Sequence, residues 1–298
     1  KAKQIEETLA SFKVQARVRE INPGPAVTQF AIEPGNGVKV RRISELHNDL
    51  ALSLAAQSVR VEAPIPGQAR VGIEIPNKQI ATVGRREVLE SRSFLGGKWK
   101  LPLPLGRDVN GRAVVGDLAK MPHLLIAGST GSGKSVCLNG IICTFLMYKR
   151  PDELRLLMID PKRVELSAYA DLPHLRHEVI TDPADAAGVL KWAVMEMERR
   201  YELLSLNGVR SLAEFNKRVR EGVVMRRCEP EGEEGDPDRH IWDDGPLPYI
   251  VVVVDELADL MMQVQSEVEK PLAQLAQKAR AIGIHLIVAT QRPTVNVI

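Results

Sequence analysis

One eight-residue segment constrains the fold of this chain more than any other feature. Residues 128–135 match the pattern G-x-x-x-x-G-K-[ST]. The apolar residues 123–127 precede this segment, and a stretch with helical character, residues 134–148, follows it. A strand, a glycine-rich loop and a helix in this order form the structural context in which the pattern cradles phosphates. The sequence therefore predicts an α/β fold with a phosphate-binding loop.

Each part of this loop has an expected role toward bound ATP. Glycines permit a tight turn whose backbone N–H groups converge on phosphate oxygens, helped by the positive end of the following helix. Lys134 is expected to contact the β- and γ-phosphates, and the Ser135 hydroxyl is expected to bind Mg²⁺. A plain glycine-rich turn is the alternative. The predicted nucleotide-binding residues are Gly128, Ser129, Thr130, Gly131, Ser132, Gly133, Lys134 and Ser135.

Two acidic residues follow a β-branched segment. Residues 250–254 are one isoleucine and four valines, and Asp255 and Glu256 come directly after them. This composition is typical of a strand buried on both faces, and ligands of α/β sheets bind at the carboxyl ends of strands. We expect Asp255 to bind Mg²⁺ and Glu256 to act as the base that polarises the attacking water. The alternative is a helix N-terminus that carries favourable acids.

Three further segments are candidates for the same chemistry. Gln291 follows the predicted strand 285–289 and is a candidate for sensing the γ-phosphate or orienting water, with a solvated loop glutamine as the alternative. Arg280 precedes Gly283 and is a candidate arginine finger for a neighbouring subunit; a cation at a helix C-terminus is the alternative. Residues 160–162, Asp-Pro-Lys, end another strand, either as a link between site and sheet or as an ordinary turn.

The chain is long enough for about two domains. Residues 1–105 are predicted to form a smaller α+β domain, with strands at 14–19, 26–32, 59–63 and 69–75 and helices at 43–58 and 85–94. Pro102 and Pro104 are expected to interrupt regular structure at the boundary. From residue 106 to 298 strands and helices alternate, which indicates a mainly parallel sheet. The predicted strands are 123–127, 154–159, 250–254 and 285–289, and Asp182 is expected to cap a long helix that ends near residue 206.

Composition excludes several classes of protein. With 44% hydrophobic and 26% charged residues the chain is not disordered. No apolar run approaches the ~18 residues of a membrane span, and three cysteines without metal or disulfide spacing fit a reduced, cytoplasmic setting.

The net charge of +2 is the sum of two unequal parts, +6 in residues 1–105 and −4 in residues 106–298. Eight acids fall in residues 229–244, which are expected to form a mobile loop. Four histidines, His123, His174, His177 and His285, lack metal spacing and are interpreted as structural.

Several motifs together resemble the FtsK/SpoIIIE DNA translocases. They are residues 121–128 leading into the phosphate-binding loop, Asp160-Pro161-Lys162, the valine-rich strand into Asp255-Glu256, and residues 279–286 through Gln291-Arg292-Pro293. Residues 37–40, 62–67 and 72–77 extend the resemblance over nearly the whole chain. Several of these motifs are more specific than the phosphate-binding loop itself.

The resemblance implies a RecA-like P-loop NTPase domain behind a smaller α+β domain. It implies a homo-oligomer, a hexameric ring around double-stranded DNA, that uses ATP to move DNA in chromosome segregation at cell division. Arg292 would lie on a loop facing the ring channel and touch DNA phosphate; the alternative is an arginine that fastens its own loop. Members carry a membrane segment and a C-terminal winged-helix domain, neither of which is in this chain, so the chain would be the cytoplasmic motor region of a protein anchored in the bacterial inner membrane. The family's motor domain also continues beyond the equivalent of residue 298.

Two other function classes compete with this interpretation. Related P-loop domains energise protein secretion, which would require a peptide substrate and no stimulation by DNA. A nucleotide switch without turnover is disfavoured because Glu256, Gln291 and Arg280 supply a full hydrolytic set. Aromatic residues are only 4% of the chain, which argues against a stacking platform for single strands and favours tracking of the phosphate backbone by charge.

Overall fold

The computed structural model describes residues 1–228, 240–294 and 297. The chain divides into two compact units. The smaller unit comprises Lys1–Gly97 and Pro104–Val115, and the larger unit comprises Lys98–Leu103 and Gly116–Ile298. The separation of the chain into domains 1–105 and 106–298 stays a prediction. No helix among the described residues is long and apolar enough to cross a membrane.

The smaller unit contains an antiparallel sheet with helices packed against it. Its strands are β1 (Ala16–Pro23), β2 (Val27–Pro34), β3 (Arg60–Glu62) and β4 (Val71–Pro76), and its helices are α1 (Ala2–Ser11), α2 (Val40–Glu45), α3 (His47–Ser53), α4 (Arg85–Leu89) and α5 (Arg92–Leu95). The strand order is β1-β2-β4-β3. Helix and strand side chains share one buried cluster that includes Ile5, Leu9, Phe30, Ile32, Ile43, Leu50 and Ile73. The α+β interpretation is therefore confirmed.

Both helices predicted in this unit are wrong in detail, because each is divided in two. Leu46 separates α2 from α3 with φ −86° and ψ 12°, and Ala55 has a φ of 49°, which is left-handed, two residues after α3 ends. Ser91 separates α4 from α5 because its side chain accepts a hydrogen bond from the Phe94 N–H and starts a new helix. The spacing of apolar residues indicates which side of a helix is buried, but it does not indicate whether one helix continues through the whole segment.

The expectation that Pro102 and Pro104 interrupt regular structure is also wrong. Residues Pro102–Arg107 form strand β5, which pairs with β6 (Ala113–Asp117) in a separate two-stranded sheet. A proline lacks the N–H that a central strand must donate, but the first position of a strand and an edge strand tolerate it. In a two-stranded sheet each strand has one unpaired edge, so the prolines remove no required hydrogen bond.

The larger unit contains a parallel sheet. Its elements are β7 (Leu124–Ala127), α6 (Lys134–Tyr148), β8 (Leu154–Ile159), a 3₁₀ helix (Ser167–Tyr169), α7 (Pro183–Leu206), α8 (Leu212–Arg220), β9 (Tyr249–Val254), α9 (Leu257–Lys278) and β10 (Ile284–Thr290). The strand order is β7-β10-β9-β8, and all three pairings are parallel. The predicted strands and the two long helices expected here are present, and the mainly parallel sheet is confirmed.

Strand β9 shows how both faces of this sheet are covered. Its side chains alternate between two apolar clusters: Val252 and Val254 pack with residues of α7, α8 and α9, whereas Val251 and Val253 pack with residues of α6. All five residues from Ile250 to Val254 are buried, as the β-branched composition predicts. Helices on both faces fix the sheet, and with it the carboxyl ends of its strands.

Two predictions about local structure have opposite outcomes. Helix α7 is confirmed from Pro183 to Leu206, and Asp182 caps it by accepting a hydrogen bond from the Ala184 N–H at 2.8 Å. The expectation that 123–127 is a buried strand is wrong, since β7 lies at the edge of the described sheet and Leu125 is 46% exposed. An edge strand has a neighbouring strand on one side only. The four apolar residues of β7 do not show whether the strand lies at the edge or in the middle of the sheet.

The acidic loop expected over residues 229–244 lies partly outside the described residues, which resume at His240. Its last part is held in place: Trp242 donates its backbone N–H to the Met225 carbonyl at 2.8 Å, and Arg227 donates its N–H to the His240 carbonyl at 2.9 Å. Residues 240–242 therefore pair with residues 225–227 and do not form an unpaired loop. The expected mobility of the segment stays a prediction.

A buried histidine gives this unit a pH-dependent contribution to stability. His285 is fully buried in β10, where its Nδ1 donates to the Pro122 carbonyl at 2.8 Å. Burial lowers the pKa of His285 from 6.5 to about 4, and nearby His123 and Arg200 lower it further, against the backbone hydrogen bond and Asp117. Between pH 6.5 and pH 4 the unfolded chain therefore binds a proton that the folded chain does not, so stability falls as the pH falls through this range.

We predict that His285→Asn, which keeps a side-chain donor but cannot titrate, flattens this pH dependence. The parent should lose up to about 3 kcal/mol of unfolding free energy between pH 6.5 and pH 4 through His285, and the variant should lack this loss. Urea unfolding followed by tryptophan fluorescence measures it, because Trp99, Trp192 and Trp242 all lie in the larger unit. The exposed His177→Asn is the matched control. Equal slopes for the parent and His285→Asn would contradict the account.

Candidate active site

The phosphate-binding loop connects β7 to α6. Gly131 and Gly133 have φ angles of 81° and 96°, in the left-handed region that favours glycine, and Gly133 is the residue that immediately precedes α6. A Cβ atom at Gly128 would collide with the Ser132 hydroxyl oxygen. The loop has the backbone that the sequence pattern requires, and residues 129–133 are exposed to solvent at the start of a helix. This is a site that favours a bound anion.

Lys134 and the two predicted acids meet at the end of β9. Lys134 is the first residue of α6 and is only 8% exposed. Its Nζ donates to the backbone carbonyl of Asp255 at 2.7 Å and to Asp255 Oδ1 at 3.0 Å, and it lies 3.8 Å from Glu256 Oε2. The parallel arrangement of β7 and β9 brings these residues together although 121 positions separate Lys134 from Asp255.

Asp255 carries opposing electrostatic influences. Burial raises the pKa of its carboxyl group, and the charges of Asp160 and Glu165 raise it further. Lys134 acts against both through its hydrogen bond and its positive charge. Asp255 therefore depends on a nearby cation to remain ionised in a buried setting.

Glu256 is held by strand β10. The Thr290 hydroxyl donates to Glu256 Oε1 at 2.8 Å, and the Gln291 N–H lies 3.0 and 3.1 Å from the two carboxylate oxygens. Lys162, which follows β8, lies 3.7 Å from Glu256 Oε2 and 3.3 Å from Asp259 Oδ2. A buried carboxylate with these donors has a fixed position and orientation at the edge of the sheet.

Gln291 and Arg292 lie at the same edge. The Gln291 side-chain oxygen accepts a hydrogen bond from the Thr130 hydroxyl of the phosphate-binding loop at 3.2 Å. Arg292 donates its backbone N–H to the Thr290 hydroxyl at 3.1 Å, and its exposed guanidinium approaches Met262 Sδ at 3.9 Å. Gln291 therefore lies against the loop, while Arg292 points its charge to solvent. Their predicted roles toward phosphate, water and DNA stay predictions.

Arg280 is the one predicted site residue that this chain places elsewhere. It lies in the turn before β10, at the amino end of the strand, whereas Gln291 follows the carboxyl end. A seven-residue strand separates the two ends by roughly 20 Å. The buried Arg200 holds this turn by donating to the Ile282 carbonyl at 3.0 Å. Arg280 is exposed and cannot reach the phosphate-binding loop of its own chain.

Sequence reasoning missed two residues of this site. Glu165 accepts a hydrogen bond from the Ser135 hydroxyl at 2.6 Å, and Thr290 holds Glu256. Both follow or end a strand of the parallel sheet on the same side as Asp255. An acid five residues beyond Asp160 was a usable signal, because the loops after β8 and β9 come together at one edge.

The residues at this edge suit a magnesium ion bound together with nucleotide phosphates. Ser135 and Asp255 offer hard oxygen ligands, which Mg²⁺ prefers. Within the described part of the chain no three acidic, histidine or cysteine side chains are arranged to hold a metal by themselves. Mg²⁺ usually takes one or two protein ligands and completes its shell with phosphate oxygens and water.

Comparison with known sequences identifies the family. The FtsK/SpoIIIE family model matches residues 86–295, and the FtsK alpha domain model matches residues 1–77. The chain belongs to the FtsK/SpoIIIE family. It is 52% identical over 296 residues to the DNA translocase FtsK of Oceanobacillus iheyensis, covering 99% of this chain and 36% of that protein. It is 50% identical to the DNA translocase SpoIIIE of Bacillus subtilis, covering 100% of this chain and 36% of that protein.

Solved structures of lower identity share the fold of this FtsK/SpoIIIE chain. The pCW3 conjugation coupling protein TcpA, with ATPγS, aligns with a TM-score of 0.55 and 23% identity over 99% of this chain and 78% of that one. The cytoplasmic domain of the type VII secretion ATPase EccC from Thermomonospora curvata aligns with a TM-score of 0.52 and 23% identity, over 72% of this chain and 23% of that one. At these identities the similarity concerns the fold alone.

The contact between Thr290 and Glu256 generates a stability prediction for this FtsK/SpoIIIE chain. Thr290→Val keeps the side-chain shape but removes the hydroxyl that donates to Glu256 and accepts from the Arg292 N–H. We expect a loss of about 1.5–3 kcal/mol in unfolding free energy, the usual effect of losing a hydrogen bond to a buried charge. Urea unfolding without nucleotide measures it. Thr290→Ser, which keeps the hydroxyl, is the control, and equal stability of the two variants would refute the contact's importance.

Proposed function

We propose that this chain is an ATP-hydrolysing motor region of a DNA translocase. The observation that carries the proposal is the buried contact of Lys134 with Asp255 beside Glu256, at the end of the phosphate-binding loop. Family membership supports it, since the curated relatives are named DNA translocases. The chain spans about 36% of the length of these relatives, so the activity, substrate and partners of the whole protein are part of the proposal.

Nucleotide binding would use the phosphate-binding loop, Lys134, Ser135 and Asp255. The exposed loop of residues 129–133 offers its N–H groups to phosphate oxygens, and Lys134 would exchange its contact with Asp255 for the β- and γ-phosphates. Ser135 and Asp255 would hold Mg²⁺, which neutralises charge that develops on the phosphates. Lys134 and Asp255 thus satisfy each other until nucleotide is present.

Hydrolysis would use Glu256 as the base. Its carboxylate would accept a proton from the water whose oxygen attacks the γ-phosphorus, while the bond from that phosphorus to the bridging oxygen breaks and ADP leaves. The Thr290 hydroxyl and the Gln291 N–H fix the carboxylate for this step. The Gln291 side chain, beside the Thr130 hydroxyl, is the group that would orient this water or sense the γ-phosphate.

Two substitutions should separate binding from turnover. Lys134→Ala removes the cation that faces the phosphates and should abolish ATP binding, whereas Glu256→Gln keeps the shape of the pocket and should bind ATP but lose at least 10²-fold in turnover. Binding of a fluorescent ATP analogue and phosphate release measure the two defects. The base assignment would be wrong if Glu256→Gln hydrolysed ATP at the parent rate.

The position of Arg280 supports an active site shared between subunits. Because Arg280 lies at the opposite end of β10 from Gln291, any contact with the γ-phosphate must be made in a neighbouring copy. This agrees with the homo-oligomeric, hexameric ring that the resemblance implies. In such a ring Arg280 would act as an arginine finger on the next subunit's nucleotide.

A mixing experiment tests the donated arginine. Arg280→Ala should bind ATP normally and hydrolyse it about 10³-fold more slowly, because a finger stabilises the transition state. An excess of Lys134→Ala protein, with its finger intact, should restore hydrolysis by Arg280→Ala protein, whose pocket is intact. No recovery despite demonstrated co-assembly would argue against a donated Arg280.

Double-stranded DNA is the proposed substrate. Arg292 carries an exposed guanidinium next to Gln291, so a phosphate contact there could influence the nucleotide site through one peptide bond. We place this motor region on the cytoplasmic side of the inner membrane, as the family resemblance implies. The similarity to a secretion ATPase keeps protein export as a second candidate at the level of the fold.

Salt dependence distinguishes a phosphate contact from a base contact at Arg292. Arg292→Ala should weaken duplex binding about equally for all sequences and lower the slope of log affinity against log salt by roughly one unit. Arg150→Ala, an exposed arginine at the amino end of β8, is the control. An unchanged slope would remove Arg292 from the DNA path, and ATPase activity indifferent to duplex DNA would favour the secretion candidate.

A further inference from the structure

The hydroxyl proposed to bind Mg²⁺ already has a defined partner. Ser135 is the second residue of α6, and its Oγ donates a hydrogen bond of 2.6 Å to Glu165 Oε1. Glu165 lies between β8 and the 3₁₀ helix, at the same sheet edge as Asp255. The direction of this bond matters, because an ionised carboxylate can only accept. The proton of the Ser135 hydroxyl therefore points at Glu165.

Asp160 fixes the position of Glu165. This residue directly follows β8 and is fully buried. Its Oδ2 accepts the backbone N–H groups of Glu165 at 3.0 Å and of Leu166 at 2.9 Å, and the Leu166 side chain is itself fully buried. Asp160 Oδ1 is buried with no hydrogen-bond partner among the residues that the structure describes. Through Oδ2, Asp160 thus holds the backbone of Glu165 and Leu166 in the position from which the Glu165 side chain reaches Ser135.

A serine hydroxyl can bind a metal only through an oxygen lone pair, so its proton needs an acceptor elsewhere. Asp255 is not the acceptor for this proton, because its carboxylate accepts from Lys134 in the structure and is proposed to hold Mg²⁺ when nucleotide binds. Glu165 is the acceptor that the structure supplies. With the proton on the Glu165 side, the lone pairs of Ser135 Oγ are left for the cation.

We propose that Glu165 is a positioning residue for the magnesium site. It accepts a hydrogen bond from the Ser135 hydroxyl and so orients the lone pairs of the hydroxyl oxygen toward Mg²⁺. This inference rests on the proposed nucleotide site. Groups that orient a metal ligand without touching the metal typically change metal affinity 10- to 100-fold when they are removed. A purely structural role at the start of α6 would alter stability and leave the magnesium dependence unchanged.

The test is a magnesium titration of nucleotide binding. Binding of a fluorescent ATP analogue is measured in EDTA and at increasing Mg²⁺ for the parent, Glu165→Ala, Glu165→Gln and Ser135→Ala. Glu165→Ala should raise the Mg²⁺ concentration at half effect by about 10-fold or more, a larger change than any in the affinity measured in EDTA. Glu165→Gln keeps an acceptor oxygen and should stay within a few-fold of the parent.

The double variant decides whether Glu165 acts through Ser135. Once Ser135→Ala has removed the hydroxyl, adding Glu165→Ala should change the magnesium dependence no further. A parent-like magnesium dependence of Glu165→Ala, or fully additive effects, would overturn the inference while leaving the nucleotide site intact. If the affinity of the parent for the ATP analogue does not depend on Mg²⁺, the proposed function is overturned as well. If Glu165→Ala does not fold, Glu165→Asp, whose shorter side chain falls short of Ser135, carries the same expectation.

Discussion

The contact between Lys134 and the carboxyl end of β9 is the interaction on which the rest of the site depends. A buried lysine beside two buried acids is tolerated only when the charges satisfy one another, because desolvation of each ion is costly. Lys134 does so through the backbone and side chain of Asp255 and its proximity to Glu256. If Lys134 moves away from Asp255 and Glu256, the lysine and the two acids each lose a partner of opposite charge. A phosphate would then neutralise the lysine, and a divalent cation would neutralise the acids. Lys134, Asp255 and Glu256 are thus the groups with which a phosphate and a divalent cation would exchange contacts.

The parallel sheet places further residues beside the contact between Lys134 and Asp255. Strands β9 and β10 are neighbours, so Glu256 at the end of one meets Thr290 and Gln291 at the end of the other. The Gln291 side chain accepts from Thr130 in the phosphate-binding loop. The same strand β10 carries Arg280 at its other end, where Arg200 fixes the preceding turn. One strand thus connects the sheet edge that carries Glu256 and Gln291 with the edge that carries Arg280.

The sequence predicts the chemistry of this site better than its details. The phosphate-binding loop, α6, α7 and the four parallel strands follow from glycine pattern, apolar periodicity and an aspartate cap, which are local signals. The strand at Pro102 and the exposed edge position of β7 depend on which strands pair, which no local pattern reports. The break at Ser91 is a local helix cap that apolar spacing does not show. Thr290 was missed because its importance arises from a contact with Glu256, 34 positions away. Glu165, whose contact with Ser135 spans 30 positions, was missed although its distance from Asp160 was a usable signal.

The affinity of Asp255→Asn for ATP, with and without Mg²⁺, tests the central contact most directly. If Asp255 holds Lys134 in the absence of nucleotide and Mg²⁺ in its presence, the variant loses a metal ligand and the negative charge that attracts the lysine. The backbone carbonyl of residue 255 still accepts a hydrogen bond from Lys134. The variant should therefore bind ATP more tightly than the parent in EDTA and more weakly in excess Mg²⁺. Weaker binding in both conditions, or unchanged binding in EDTA, would show that Asp255 does not compete with the phosphates for Lys134.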